Sequence, residues 1–174
     1  MTMGKKIDLI RYKKALDFSF SFYKGKFRKG IKFPYFNYLS SVSNLIIENN
    51  GNTDEAIAGL IHDYFEFENF TRKSNFIKNK FGVKVLNIIK QCSDNESLKD
   101  EKPIWLKKKK KYLESMSKKS QSSLLVVICD KLHSINCMLN DHTKIGKKLW
   151  TSYFQSPDEV LWYYKSLCNN FKKS

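Results

Sequence analysis

The 174-residue sequence predicts an all-α fold, a single helical bundle, on three observations. Seven glycines and three prolines are too few for a turn-rich β protein. Apolar residues make up 41% of the chain, enough to build a core, and they recur at three- and four-residue intervals, the period of one helix face. The breaks between these stripes carry residues that start and stop helices.

From Ile7 to Tyr23, Leu9, Tyr12, Leu16, Phe20 and Tyr23 form the first stripe. A short basic loop follows, Lys24-Gly25-Lys26-Phe27-Arg28-Lys29-Gly30, leading to Pro34. Phe36, Leu39, Val42, Leu45 and Ile46 make a second helix that stops near Gly51, expected as a left-handed cap. Thr53 is the expected N-cap of a third helix, with Asp54 and Glu55 in the first turn, where the helix dipole favours anions. That helix is expected to run through Ala56, Leu60, Ile61, Tyr64 and Phe65. Phe76 to Phe81 closes a short helix at Gly82, and Val83 to Cys92 forms another.

The polar stretch Ser93 to Lys102 reads as a loop, and Pro103 suits the first turn of a helix through Trp105, Tyr112, Leu113 and Met116. The apolar run Leu124 to Cys129 fits a buried strand or a central helix equally well, but its continuation through Asp130, Leu132, Ile135 and Met138 favours a long buried helix. Ser156-Pro157-Asp158-Glu159 is a capping box with proline at the first helical position, opening a terminal helix through Trp162, Tyr163 and Leu167. With no internal repeat and no domain-sized linker, one domain is expected over residues 1–174, with its core at about 7–171.

No stretch reaches the roughly 18 uncharged apolar residues of a spanning helix, and the N-terminus has no apolar run behind its charges, so a soluble, cytoplasmic protein without a membrane partner is expected. Cys92, Cys129, Cys137 and Cys168 are scattered without a CxxC pair and read as reduced thiols. The net charge of +15 favours polyanionic partners, among which composition cannot choose, although many lysines on a solvated surface would give the same number.

His62-Asp63 sits among apolar neighbours, and Asp130 lies in the middle of the most hydrophobic segment. A buried carboxylate is costly unless paired or bound to metal. Adjacent side chains cannot fully share one helix face, yet both can reach an ion held where two helices cross. Imidazole plus two carboxylates suits Mn²⁺ or a similar divalent ion, which lowers the pKa of bound water. The bland reading of the dipeptide is a helix-face histidine beside a capping aspartate.

The neighbours add to this pair. In order come Arg28-Lys29, Pro34-Tyr35-Phe36-Asn37, His62-Asp63-Tyr64-Phe65-Glu66, Phe81-Gly82, Ser93-Asp94, Trp105 with Lys108-Lys109, Asp130-Lys131-Leu132 and Trp162-Tyr163-Tyr164. From about Leu9 to Leu167 the set resembles the HD-domain alarmone hydrolases: the hydrolase domain of RelA/SpoT proteins and the small alarmone hydrolases related to the metazoan SpoT homologue. The resemblance implies a single HD-domain helical bundle that holds Mn²⁺ and hydrolyses the 3′-pyrophosphate of ppGpp and pppGpp. It implies His62, Asp63 and Asp130 as metal ligands, Glu66 as the base, and Arg28, Lys29, Lys108 and Lys109 as phosphate contacts.

Two positions depart from the family pattern. Its Pro-Tyr-x-x-His-Pro is here Pro34-Tyr35-Phe36-Asn37-Tyr38-Leu39, which puts a neutral phenol, a poor ligand for a hard ion, where a histidine belongs. Its HD-x-x-Glu-Asp reads His62-Asp63-Tyr64-Phe65-Glu66-Phe67, so one water-orienting carboxylate is a phenyl ring. Tyr23 and Ser134 replace a further His and Asn of the pattern, and His133 is considered as a substitute ligand against the reading of a polar residue near the helix surface.

Three functions follow as alternatives. The first is a divergent hydrolase of guanosine polyphosphates. The second is a catalytically impaired HD-fold module that binds guanosine or adenosine polyphosphates. The third and weakest is a nucleic-acid surface raised on the +15 charge, for which the aromatics give no support because most fall on core-facing positions.

Overall fold

A computed structural model of the chain describes residues 5–93, 102–153 and 155–173, with the side chains of residues 102–104 outside that description. Its elements are α1 (Leu9–Tyr23), α2 (Tyr35–Glu48), α3 (Thr53–Ile61), α4 (Tyr64–Phe67), α5 (Phe70–Phe81), α6 (Val83–Cys92), α7 (Lys102–Ser115), α8 (Gln121–Ile145) and α9 (Pro157–Phe171). Short 3₁₀ turns cover Met116–Lys118 and Gly146–Ser152. The fold is all-α; among the described residues the only β pairing is an isolated bridge between Phe27 and Pro34, which closes the loop between α1 and α2.

Helix α3 is the centre of the bundle, packed against α1, α2, α6 and α8. Every residue of α3 except Asp54 is buried, and Leu39, Val42, Ile46, Ile57, Leu60, Ile61, Ile77 and Ile89 meet around it in one apolar cluster. Burial of a side chain of this size stabilises by about 1.5–3 kcal/mol. A second cluster of Tyr112, Leu113, Met116, Leu124, Val127, Tyr163 and Leu167 joins α7 and α9 to α8. Two buried hydroxyls tie helices together: Ser19 donates to the Leu60 carbonyl at 2.9 Å and Ser43 to that of Ala56 at 2.8 Å.

The ambiguous apolar run after Leu124 lies inside α8 as a helix. By length and composition the run Gln121–Ser152 is apolar enough to cross a membrane, a test that core helices of soluble proteins also pass. Here its inner face is buried against α2, α3 and α6, with Asp130 in the middle.

Four expectations change. The N-cap of α3 is Asn52, not Thr53: its side chain accepts from the Asp54 and Glu55 amides while Glu55 returns a bond to the Asn52 amide at 2.7 Å. The Thr53 hydroxyl instead accepts from Asp8 N at 2.9 Å, tying the start of α1 to α3. The left-handed residue after α2 is Asn50, with φ 59°, rather than Gly51. Gly51 is needed for a close approach, since a Cβ there would lie 2.7 Å from the Ile46 carbonyl oxygen. Helix α5 starts at Phe70, earlier than expected, capped by Asn69. The expected continuous third helix breaks at His62-Asp63 and resumes as α4. Most of the expected loop from Ser93 to Lys102, including Asp94, lies outside the described residues.

Candidate functional site

The break after Ile61 positions the pair. His62 keeps helical backbone angles, whereas Asp63 sits at φ −89°, ψ 9°, where the helix breaks, and the two side-chain tips meet, with His62 Nε2 3.4 Å from Asp63 Oδ2. His62 is buried, and its Nδ1 lies 2.9 Å from the Gly59 carbonyl oxygen. That contact makes Nδ1 a donor and turns Nε2 toward Asp63 and Asp130. Nε2 is 3.4 Å from Asp63 Oδ2 and 3.2 Å from Asp130 Oδ1, yet makes no well-aligned hydrogen bond to either.

Asp130 reaches this point from the middle of α8, and both carboxylates are held from behind by phenols of α2. Tyr35 donates to Asp63 Oδ2 at 2.6 Å, and Tyr38 donates to Asp130 Oδ1 at 2.5 Å. Lys131 donates to the other Asp130 oxygen at 2.6 Å. His62, Asp63, Glu66, Lys109, Asp130 and Lys131 line one small, partly enclosed pocket together with Cys92, Tyr112 and Val127.

The charges are strongly coupled. Burial opposes a charged His62, but Asp63 and then Asp130 overcome it and push the imidazole up to about 9. Glu66 is pushed up to about 8, chiefly by repulsion from Asp63 and then by burial. Burial alone would raise Asp130; Lys131 and His62 instead hold it well below the usual carboxylate range.

Among the described residues no set of three or more His, Cys, Asp and Glu side chains already has the spacing of a metal cage. The residues nevertheless fit a divalent ion by two measures. A buried imidazole nitrogen lacks a hydrogen-bond partner, and the atoms beside it are hard carboxylate oxygens.

Of the basic residues singled out in the sequence, Lys109 lines the pocket, its Nζ over the rings of Tyr112 and Tyr163. Lys108 is half-buried on α7, and Lys29 is exposed on the α1–α2 loop. Neither lines the pocket, and Arg28 does not line it either. Arg28 instead pairs with Asp141 at 2.5 Å.

His133 does not reach the His62 cluster: its ring packs at a tilt against Tyr38, 4.9 Å between centroids, and its Nε2 meets Cys137 Sγ at 3.5 Å. Phe67, in place of a carboxylate, packs edge-on against Tyr23 and Tyr35 at 5.7 Å each, with Lys26 over its ring. Tyr23 is fully buried in that aromatic group. Sequence reasoning assigned no role to Tyr35 or Lys131, although both stand in the motifs that were singled out, beside Pro34 and Asp130.

The HD domain profile matches residues 15–152, which include every residue of the cluster. The chain belongs to the HD-domain family. It is 30% identical over 137 residues to guanosine-3′,5′-bis(diphosphate) 3′-pyrophosphohydrolase MESH1 of Xenopus tropicalis, an alignment covering 75% of this chain and 70% of that protein. It is therefore a divergent member resembling the metal-dependent phosphohydrolases of that type. Two solved structures share the fold. A metazoan orthologue of SpoT superposes with a TM-score of 0.74 at 19% identity, covering 98% of this chain and 88% of that one. The lmo0812 protein of Listeria monocytogenes superposes with a TM-score of 0.66 at 20% identity, covering 76% and 82%.

Proposed function

We propose that this chain is a Mn²⁺-dependent 3′-pyrophosphohydrolase of guanosine polyphosphates, acting in the cytoplasm. The observation that carries the reading is the unpartnered, buried His62 Nε2 beside Asp63 Oδ2 and Asp130 Oδ1, at the wall of a pocket that also holds Glu66 and Lys109. His62, Asp63 and Asp130 are the residues that would hold the ion. Bound there, Mn²⁺ supplies Lewis acidity and a lowered pKa for water. The four cysteines, all free, agree with a reducing compartment.

The chain's own groups divide the remaining work. Glu66 accepts the proton of the attacking water, and neutralising Asp63 relieves the repulsion that otherwise keeps Glu66 protonated. Lys109 and Lys131 place positive charge where phosphate oxygens gain charge as pyrophosphate leaves the 3′ oxygen. Arg28, Lys29 and Lys108 stand outside the pocket lining and add positive charge to the phosphates at longer range. With Phe67 in place of a second carboxylate, one water-orienting group is lost, so turnover is slow.

A second reading, an HD-fold module that binds guanosine or adenosine polyphosphates without turning them over, draws on the same two substitutions. Phe67 fills its place with ring packing, and Tyr38 engages Asp130. Purified protein with Mn²⁺ and ppGpp separates the two. The hydrolase releases pyrophosphate slowly, and the Tyr38→His, Phe67→Asp variant releases it at least tenfold faster, the low end of what a general acid–base group contributes at about 10²–10⁴. No release from the wild type, with release from the variant, overturns the hydrolase, and calorimetric titration with guanosine and adenosine polyphosphates then tests the binding module.

A further inference from the structure

We propose that Tyr38 is a positioning residue, a phenol that fixes the Asp130 carboxylate by hydrogen bonding from the place where the family pattern has a histidine; the proposal rests on the metal-dependent reading above. Tyr38 is buried on α2, facing α8. Its hydroxyl donates to Asp130 Oδ1 at 2.5 Å, and that same oxygen is 3.2 Å from His62 Nε2. The other oxygen, Oδ2, is taken by Lys131 at 2.6 Å. A carboxylate gripped at both oxygens has one orientation left, and that orientation presents Oδ1 to the imidazole nitrogen.

Hydrogen bonds from a hydroxyl to a carboxylate are the short, strong kind. Outer partners that orient ligating carboxylates are typically worth 10–100-fold in metal affinity. Tyr35 makes the equivalent bond to Asp63 Oδ2 at 2.6 Å, so the two anionic groups beside His62 are held by the same device from the same helix. Ring packing alone does not account for Tyr38. Its ring does pack at a tilt against Tyr35 and His133, but that packing needs no hydroxyl, and phenylalanine would serve it equally. Direct ligation is a different arrangement, because a phenol binds a hard ion well only after losing its proton, and here that proton is engaged with Asp130.

The test compares wild type, Tyr38→Phe and Tyr38→His for Mn²⁺ affinity, read from the paramagnetic resonance of free Mn²⁺, with circular dichroism to confirm each fold. The clamp predicts that Tyr38→Phe binds Mn²⁺ about tenfold or more weakly. Tyr38→His, which offers an imidazole to the ion directly, should equal or exceed wild type. Unchanged affinity in Tyr38→Phe overturns the proposal. So does a visible phenolate charge-transfer band in Fe³⁺-loaded wild type that Tyr38→Phe lacks, since it makes Tyr38 a ligand. If the wild type binds no Mn²⁺, the metal-dependent reading fails by itself, and the clamp is judged on metal-free protein from Tyr38→Phe, Asp130→Ala and the double variant. The clamp predicts a melting-temperature loss in the double variant several degrees smaller than the two single losses together, and additive losses overturn it.

Discussion

Arg28 Nη2 stands 2.5 Å from Asp141 Oδ2, with both side chains largely buried. The same oxygen accepts from Ile31 N at 3.2 Å, so one carboxylate on α8 holds both the guanidinium and the backbone of the α1–α2 loop. Asp141→Ala leaves a buried guanidinium without its counter-charge, which typically costs about 3–5 kcal/mol. The expected outcome is a loss of that order in urea denaturation. A loss under about 0.5 kcal/mol, the size of a surface substitution, would show that water replaces Asp141 without cost.

The pH dependence of the metal-free protein follows from His62 and Glu66. Both pKa values are raised in the fold, to about 9 for His62, where Asp63 and Asp130 outweigh burial, and to about 8 for Glu66, where Asp63 and burial act together. A raised value means that the folded chain holds a proton the unfolded chain has already released. That contribution to stability is complete at low pH and is lost as pH rises through about 8 and 9. Asp130, shifted downward, acts with the opposite sign, but its window lies below the ordinary carboxylate range. In EDTA the melting temperature should therefore fall as pH rises from the ordinary carboxylate range, levelling off once pH passes about 9, and His62→Asn and Glu66→Gln should each flatten the fall. Since Mn²⁺ needs His62 without its Nε2 proton, the stabilisation by saturating Mn²⁺ should grow over the same window. A Mn²⁺-induced shift of equal size at every pH counts against His62 as a ligand.

Within the lysine run of α7, only Lys109 lines the pocket, while Lys107 and Lys110 are exposed. A lysine that bonds a phosphate contributes about 1.5–3 kcal/mol, enough for at least a tenfold effect. Lys109→Ala should raise KM for ppGpp about tenfold or more, whereas Lys107→Ala and Lys110→Ala stay within about twofold. Equal effects at all three positions would mean that the run acts as a diffuse field, and that effect would then fade with added salt.

The helices were legible wherever apolar spacing and cap chemistry agreed, as at Ser156 and Glu159, whose reciprocal capping bonds are both formed. Asn52 was missed in favour of Thr53 because both are good caps; Glu55, three residues after Asn52, was the signal that distinguishes them. The break at His62-Asp63 was not legible, since the apolar spacing runs straight through it and neither residue is a helix breaker. The meeting of His62 with Asp130 came from the order of motifs, not from periodicity. The Arg28–Asp141 pair joins distant segments, and no local pattern announces it.

The distance between α2 and α3 sets the site and rests on Gly59. A Cβ there would lie 2.6 Å from Ile46 Cδ1 and 3.1 Å from Ser43 Cα. The Ile46 methyl can rotate aside, but the Ser43 backbone moves only if α2 moves. Alanine in place of glycine favours a helix interior by about 1 kcal/mol, whereas overpacking a close helix contact costs about 1–3 kcal/mol. Gly59→Ala is therefore expected to be destabilising on balance. Because α2 carries Tyr35 and Tyr38, an outward shift lengthens their bonds to Asp63 and Asp130. Mn²⁺ affinity should consequently fall together with stability, although Gly59 touches the site only through its carbonyl contact with His62. A stable Gly59→Ala variant with undiminished Mn²⁺ affinity would show that the helix spacing is not what holds the carboxylates in place.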